Sequence, residues 1–389
     1  MLSCGEPSGD LYAGALMREL RALDPAIHVR GLGGPEFAAA GGELLEDYRG
    51  LSVTGLTAPI GKLALYFATL RGLLQSARGD PPDALIAVDF PDFNFFLARG
   101  IKRLGIPVVY YISPQLWAWR RGRMKTMRRI ADLVMVIFPF EERIYRDAGV
   151  PVTFVGHPLV DLATRSVKSD FTQRHGLSAD APLVAILPGS RPNEVKAILP
   201  DLMVAAERIR AHVPEAQFVV ARAPSLDDRL FDLVGSPRLE RLVLVEGETD
   251  AALSAADLAL TASGTATVQA AIHDTPMVIV YRVSPLTYHV VRRLVTVDTI
   301  GMVNLIAGEK IVPELIQGDF TPEAVAAEAV SVLTDSARRA RVHEGLARVR
   351  ERLGGSGASR RAAEAILRLV AGSRQLPASG FQLQARNEE

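Results

Sequence analysis

The chain has 389 residues, and its 44 basic and 44 acidic side chains give a formal charge of zero. That length exceeds one ordinary core and favours two domains. The charge balance gives no whole-molecule attraction to nucleic acid, so any anion site must be local. The single cysteine, Cys4, excludes an internal disulfide framework, no apolar run is long enough to span a bilayer, and the start turns polar too soon for a signal peptide.

In chain order, only Met1–Cys4 precede the first glycine, Gly5, so either the first strand is very short or the natural chain starts further upstream. Gly5-Glu6-Pro7-Ser8-Gly9-Asp10 then leads into a helical pattern. Glycines at a strand end let backbone approach a ligand, and the following helix start points N–H groups at it. Glu6, Ser8 and Asp10 are candidate site residues here, although Ser8 or Asp10 could equally be a helix cap. Pro59 can open a helix whose Leu63, Phe67, Leu70 and Leu74 share one face with Ile60, preceded by Leu56. Such a face suits acyl chains or a bilayer surface, or a helix packed on its own sheet.

Strands are expected at Leu85–Val88, Val108–Ile112, Leu133–Phe138 and Val152–Val155. A second set follows at Val184–Leu187, Phe218–Ala221, Leu242–Val245, Leu258–Thr261 and Met277–Tyr281. Each short β-rich run is followed by turn residues and, in most cases, a helix period, the mark of parallel sheets covered on both faces. Asp89 ends the first of these runs, within Asp89-Phe90-Pro91-Asp92-Phe93-Asn94, where a carboxylate can act as general base or simply shape the turn. From Phe93 to Ala131 there are nine Lys or Arg and no Asp or Glu, around Trp117 and Trp119, which suits a phosphate or an anionic lipid surface. His157 lies near the seam between the two sets, where it could touch a phosphate or orient another residue.

In the second set, Leu187-Pro188-Gly189-Ser190-Arg191 offers a loop and a forked cation for a diphosphate, with Glu194 able to support the arginine or close a helix cap. Ser263, Gly264 and Thr265 start a helix after another strand, a further phosphate-ready terminus. The expected domains are residues 1–165 and 166–371, both Rossmann-like α/β units, followed by a disordered tail over 372–389. Ligands are expected in the cleft between them.

Together these motifs resemble lipid-A-disaccharide synthase. The resemblance rests on the Gly5–Asp10 and Asp89–Asn94 blocks, Ser113-Pro114-Gln115-Leu116-Trp117-Ala118-Trp119-Arg120, Phe138-Pro139-Phe140-Glu141, Leu187–Arg191, Ala262–Ala266 and Asn304-Leu305-Ile306-Ala307-Gly308. It implies the GT-B architecture, two Rossmann-like domains facing across a cleft. It also implies inverting transfer of 2,3-diacylglucosamine from UDP to 2,3-diacylglucosamine 1-phosphate, releasing UDP. It further implies a cytoplasmic enzyme, peripheral on the inner face of a Gram-negative inner membrane, with no cofactor. Asn304 becomes a site residue through the resemblance alone. Asp89 is the expected base, and Arg191 with the Ser263–Thr265 helix start stabilises the leaving diphosphate, which removes the need for a metal. Gln269 stands where many GT-B enzymes place a glutamate on the ribose, and Ala58 where a relative can carry an acidic residue. The rival readings are a peptidoglycan-precursor transferase, a UDP-sugar 2-epimerase, or a non-catalytic lipid- or anion-binding protein. Oligomeric state, a homodimer included, is left open.

Overall fold

The structure is a computed structural model, and it describes residues 1–51, 60–116, 121–224, 226–235, 239, 241–283 and 299–375. Two parallel sheets organise it. The first comprises β1 (Leu2–Ser3), β2 (Arg30–Gly33), β3 (Glu43–Asp47), β4 (Leu85–Val88), β5 (Val108–Tyr111), β6 (Leu133–Val136) and β7 (Val152–Phe154), in the order β3-β2-β1-β4-β5-β6-β7. The second comprises β8 (Leu183–Leu187), β9 (Gln217–Arg222), β10 (Leu242–Glu246), β11 (Leu258–Ala262), β12 (Met277–Tyr281) and β13 (Glu314–Ile316), in the order β10-β9-β8-β11-β12-β13. Central strands such as β4, β5, β8 and β11 are buried along their whole length, because helices cover both faces.

The helices of the first lobe are α1 (Pro7–Leu23), α2 (Pro35–Ala39), α3 (Ile60–Gly79), α4 (Pro91–Lys102), α5 (Met124–Ile130) and α6 (Pro139–Asp147). The chain crosses to the second lobe through α7 (Leu159–Leu162) and α8 (Lys168–Arg174). That lobe adds α9 (Pro192–His212), α10 (Thr249–Ala255) and α11 (Thr265–Ile272), then helices Met302–Ala307, Pro322–Thr334, Ser336–Arg352 and Ala358–Gln375. Proline opens α1, α2, α4, α6 and α9. It lacks the N–H a strand would need and presets the helical φ, so the strand must stop and the helix start within a few residues. Every such turn therefore lies at the carboxyl end of a strand.

Strand order reverses between β1 and β4 in one sheet and between β8 and β11 in the other. Ligands of open α/β sheets bind at these two crevices. The loops that emerge there begin at Gly5, Asp89, Gly189 and Ser263, the four loop motifs recognised in the sequence.

β1 has only two residues, yet it pairs with β2 and β4. Its neighbour β2 has the sequence Arg-Gly-Leu-Gly, and a Cβ on Gly31 would stand 1.8 Å from the Leu2 carbonyl oxygen. Only glycine permits that approach. The last helix, Ala358–Gln375, returns to pack on α1 of the first lobe, with Arg361 Nε donating to the Val155 carbonyl at 2.8 Å. Helix therefore runs through Gln375, where sequence suggested an irregular tail from 372; residues 376–389 lie outside the described residues.

Candidate active site

Asp89 sits just past β4 with a left-handed backbone, φ 42°, and Phe90 follows at φ 47°. Two consecutive non-glycine residues in that region are strained and need support. Asn94, buried in the first turns of α4, supplies it. Its Nδ2 donates to the carbonyls of Asp89 (2.8 Å), Ser3 (3.2 Å) and Val88 (3.3 Å), while its Oδ1 accepts from the Ser3 hydroxyl at 2.6 Å. The Tyr110 hydroxyl donates to the same Asp89 carbonyl at 2.8 Å. The Phe90 ring stacks on Phe93 and lies over Gly5, where an added Cβ would come within 2.2 Å of it. The β1 and β4 loops are thus fitted to each other, and Gly5 is required by contact rather than by torsion.

Burial is the main force that raises the Asp89 carboxyl to about 7. The Glu6 charge pushes the same way, whereas the Phe90 N–H and Arg191 pull it down. A carboxyl held near neutrality is suited to gaining and losing a proton at cellular pH.

From the other lobe, Arg191 reaches across. Its Nη2 donates to both carboxylate oxygens of Glu6 at 3.2 Å, and its Nη1 to Glu194 at 3.2 Å. Glu194 also accepts from the backbone N–H groups of Ser190 (3.1 Å) and Arg191 (3.3 Å), so it serves both as cap and as arginine support. Gly189 packs against it. Gly264 and Thr265 are exposed at the start of α11, and Ser263 donates its hydroxyl to the Ile300 carbonyl at 3.2 Å. Thr265 lies beside the Tyr12 hydroxyl of α1, a second point where the lobes meet. Gln115 Nε2 and the Met302 sulfur, 3.2 Å apart, form a third.

Several expected site residues are committed elsewhere. Asp10 is buried and accepts from the N–H groups of Gly34 (2.8 Å), Glu36 (3.0 Å) and Phe37 (3.1 Å), so its carboxylate caps α2. Asn304 is buried too. It donates to Val312 O and Glu314 and accepts from the N–H groups of Ile311 and Val312, which leaves it no free valence for a sugar or phosphate. His157 has been pushed down to about 3 by burial, and its Nδ1 accepts from the Leu159 N–H at 3.2 Å. It is a neutral ring packed between Tyr12 and Phe138 at the seam. Ser8 is half-buried in the first turn of α1. The Gln269 amide faces Asp250 at 3.5 Å.

On α3, Leu63 and Phe67 are 53 % and 54 % exposed, but Leu70 and Leu74 pack inward, Leu74 against Gly100 of α4. Leu56, Ala58, Trp117, Trp119, Arg120 and the Ile60 side chain lie outside the described residues. Among the described residues, no helix is long and apolar enough to cross a membrane, and no three His, Cys, Asp or Glu side chains converge to hold a metal ion.

A family model described as lipid-A-disaccharide synthetase matches residues 1–369. The chain belongs to that family. Relatives named lipid-A-disaccharide synthase include one from Myxococcus xanthus, 43 % identical over 371 residues and covering 95 % of this chain and 97 % of the relative. Another, from Geobacter sulfurreducens, is 42 % identical over 375 residues with the same coverage. Among solved structures, a UDP-GlcNAc 2-epimerase from Neisseria meningitidis superposes with TM-score 0.66 at 13 % identity, covering 94 % of this chain and 98 % of that one. The calicheamicin glycosyltransferase CalG4 superposes with TM-score 0.60 at 18 % identity, covering 97 % and 98 %. The fold is thus GT-B, as the resemblance implied and in keeping with the two α/β units that the alternation of strands and helices suggested, and family membership makes the chain a glycosyltransferase of lipid A biosynthesis.

Asn94, Tyr110 and Tyr12 were not singled out beforehand. Asn94 stood in a quoted motif, but its role depends on three carbonyls, one of them 91 positions away from it in sequence. An Asp89 carboxyl so placed has a stability consequence. The folded carboxyl is raised, so its protonated form favours folding below the ordinary aspartate range, and that contribution fades as pH rises towards 7. Asp89→Asn should therefore raise the unfolding temperature more at pH 8 than at pH 5, measured by calorimetry; equal shifts at both would count against a buried, raised carboxyl.

Proposed function

We propose that Asp89 is the general base of the transfer and Arg191 the principal stabiliser of the departing diphosphate. As the acceptor hydroxyl oxygen attacks the anomeric carbon, its proton passes to Asp89. The bond to the diphosphate breaks on the opposite face, and UDP leaves with the bonding electrons, which inverts the sugar. Arg191 and the start of α11 meet the negative charge that develops on the leaving group, with Ser190 and the Gly189 and Gly264 backbone lining the same pocket. Gln269 lies one turn along α11, within reach of the nucleotide's ribose side. Glu6 and Ser8, at the β1 loop, fall to the acceptor side.

The observation that carries this reading is the juxtaposition across the gap. A carboxyl held near neutrality on a strained strand end faces, with Glu6, an arginine that reaches over from the second lobe. The donor is a UDP-diacylglucosamine and the acceptor a diacylglucosamine 1-phosphate. Asp89→Asn should lower turnover by about 10²–10⁴-fold while UDP still binds. Arg191→Ala should raise the donor KM by about tenfold or more, as loss of a charged hydrogen bond does. Steady-state kinetics with those two substrates and mass analysis of the product provide the check; wild-type turnover in Asp89→Asn would remove it from the mechanism.

Membrane contact is the second part of the proposal. Leu63 and Phe67 of α3 and Phe96 of α4 are each more than half exposed. On α4, Phe96 shares a helical stripe with Arg99 and Arg103. These arginines, with Lys102, Thr126, Arg129 and Ile130, line a groove of about 370 Å³. Apolar side chains next to cations on one flank suit the face of an anionic bilayer, the source of both acylated substrates. Leu63→Ser with Phe67→Ser should reduce sedimentation with phosphatidylglycerol vesicles several-fold and leave activity on detergent-dispersed substrate near wild type; unaltered sedimentation would assign that face to something other than lipid.

A further inference from the structure

We infer that Glu6 is a positioning residue that holds Arg191 across the cleft before the donor arrives and surrenders it to the diphosphate, so that nucleotide binding also arms the base. The inference rests on the roles proposed above for Asp89 and Arg191.

Both terminal nitrogens of Arg191 are engaged, Nη2 by Glu6 and Nη1 by Glu194. The guanidinium has further N–H groups, but a diphosphate that docks on its Nη2 corner competes with Glu6 and one on Nη1 competes with Glu194. Glu194 is anchored in its own lobe by the N–H groups of Ser190 and Arg191. Glu6 belongs to the opposite lobe, its side chain is 38 % exposed, and it stands at the start of α1 without capping that helix through its side chain. Glu6 is therefore the partner that yields. The exchange replaces one anion by another of higher charge, and a half-exposed ion pair is weak enough to be exchanged.

Surrender changes what Asp89 faces. From the loop after β1 it meets Glu6, from α1 the Tyr12 phenol, from β5 the Tyr110 phenol, and from the second lobe Arg191. Asp92 of α4, one turn away, is paired with Arg123 at 2.9 Å. Burial keeps both phenols protonated, so Glu6 and Arg191 are the charges that matter. In the empty site they pull in opposite directions, Glu6 upward and Arg191, less strongly, downward. Once Arg191 is neutralised by diphosphate, the bare Glu6 carboxylate raises the proton affinity of Asp89 at the moment a base is wanted.

The test is a double-mutant cycle with UDP itself as ligand, followed by calorimetry, together with pH–rate profiles on the donor and acceptor. Glu6→Gln should bind UDP about two- to five-fold more tightly, the range set by loss of a half-exposed competing pair. In the Arg191→Ala background the same substitution should change nothing. In wild type the acid limb of kcat should lie above that of kcat/KM, and Glu6→Gln should narrow the separation. Glu6→Asp, which keeps the charge on a shorter stem, should restore part of it, a rescue that a purely structural role would not give. Unchanged or weaker UDP binding in Glu6→Gln, with a wild-type unfolding temperature, overturns the hand-off. Should Asp89→Asn turn over normally, the base assignment falls instead, and the UDP cycle still judges the exchange on its own.

Discussion

The site depends on one turn. β4 ends at Val88, and the next two residues, Asp89 and Phe90, are held in a left-handed conformation that their side chains disfavour. Nothing local favours it. It persists because Asn94 and Tyr110 both grip the Asp89 carbonyl, and because the Phe90 ring has a seat on Gly5. Three elements of the first lobe, β1, α4 and β5, thereby fix one carboxyl at the mouth of the crevice. Burial then does the chemical work by raising its proton affinity towards neutrality.

The second lobe needs less elaboration. Its crevice presents an arginine whose own helix cap, Glu194, orients it, and a helix start with exposed Gly264 and Thr265. Because both lobes bring their functional loops to the point where strand order reverses, the two half-sites meet across the gap without special connections. The contacts Glu6–Arg191, Tyr12–Thr265 and Gln115–Met302 span it. The base proposed on one side and the cation proposed for the leaving group on the other are what an inverting displacement requires.

Much of this could be read from the amino-acid order. The nine expected strands recur within one or two residues of their places, because each is a compact β-rich run closed by a proline or glycine turn. The three unforeseen strands lacked that signal. β2 is half glycine, and β3 is an acidic edge strand, Glu-Leu-Leu-Glu-Asp, with little to bury. β13 has three residues. Among candidate site residues, Asp89 was legible because a charged residue directly after an apolar strand has few places to point other than the crevice, and Arg191 because it closes the short Pro188-Gly189-Ser190 loop that follows another. Asp10 and Asn304 carry the same polar chemistry, but their partners, Gly34–Phe37 and Ile311–Glu314, come from later loops that only the fold brings near. On α3, one apolar stripe serves two purposes. Leu63 and Phe67 face outwards while Leu70 packs on the core and Leu74 meets α4, a division set by how far the neighbouring elements cover the helix rather than by its periodicity.

The central claim is that Asp89 carries a proton affinity close to neutrality in the folded enzyme. Titrating the side-chain carboxyl by carbon NMR on aspartate-labelled protein, with Asp89→Asn to assign the resonance, reads it directly. A midpoint near 7 is expected; a midpoint in the ordinary aspartate range, about 4, would contradict the account.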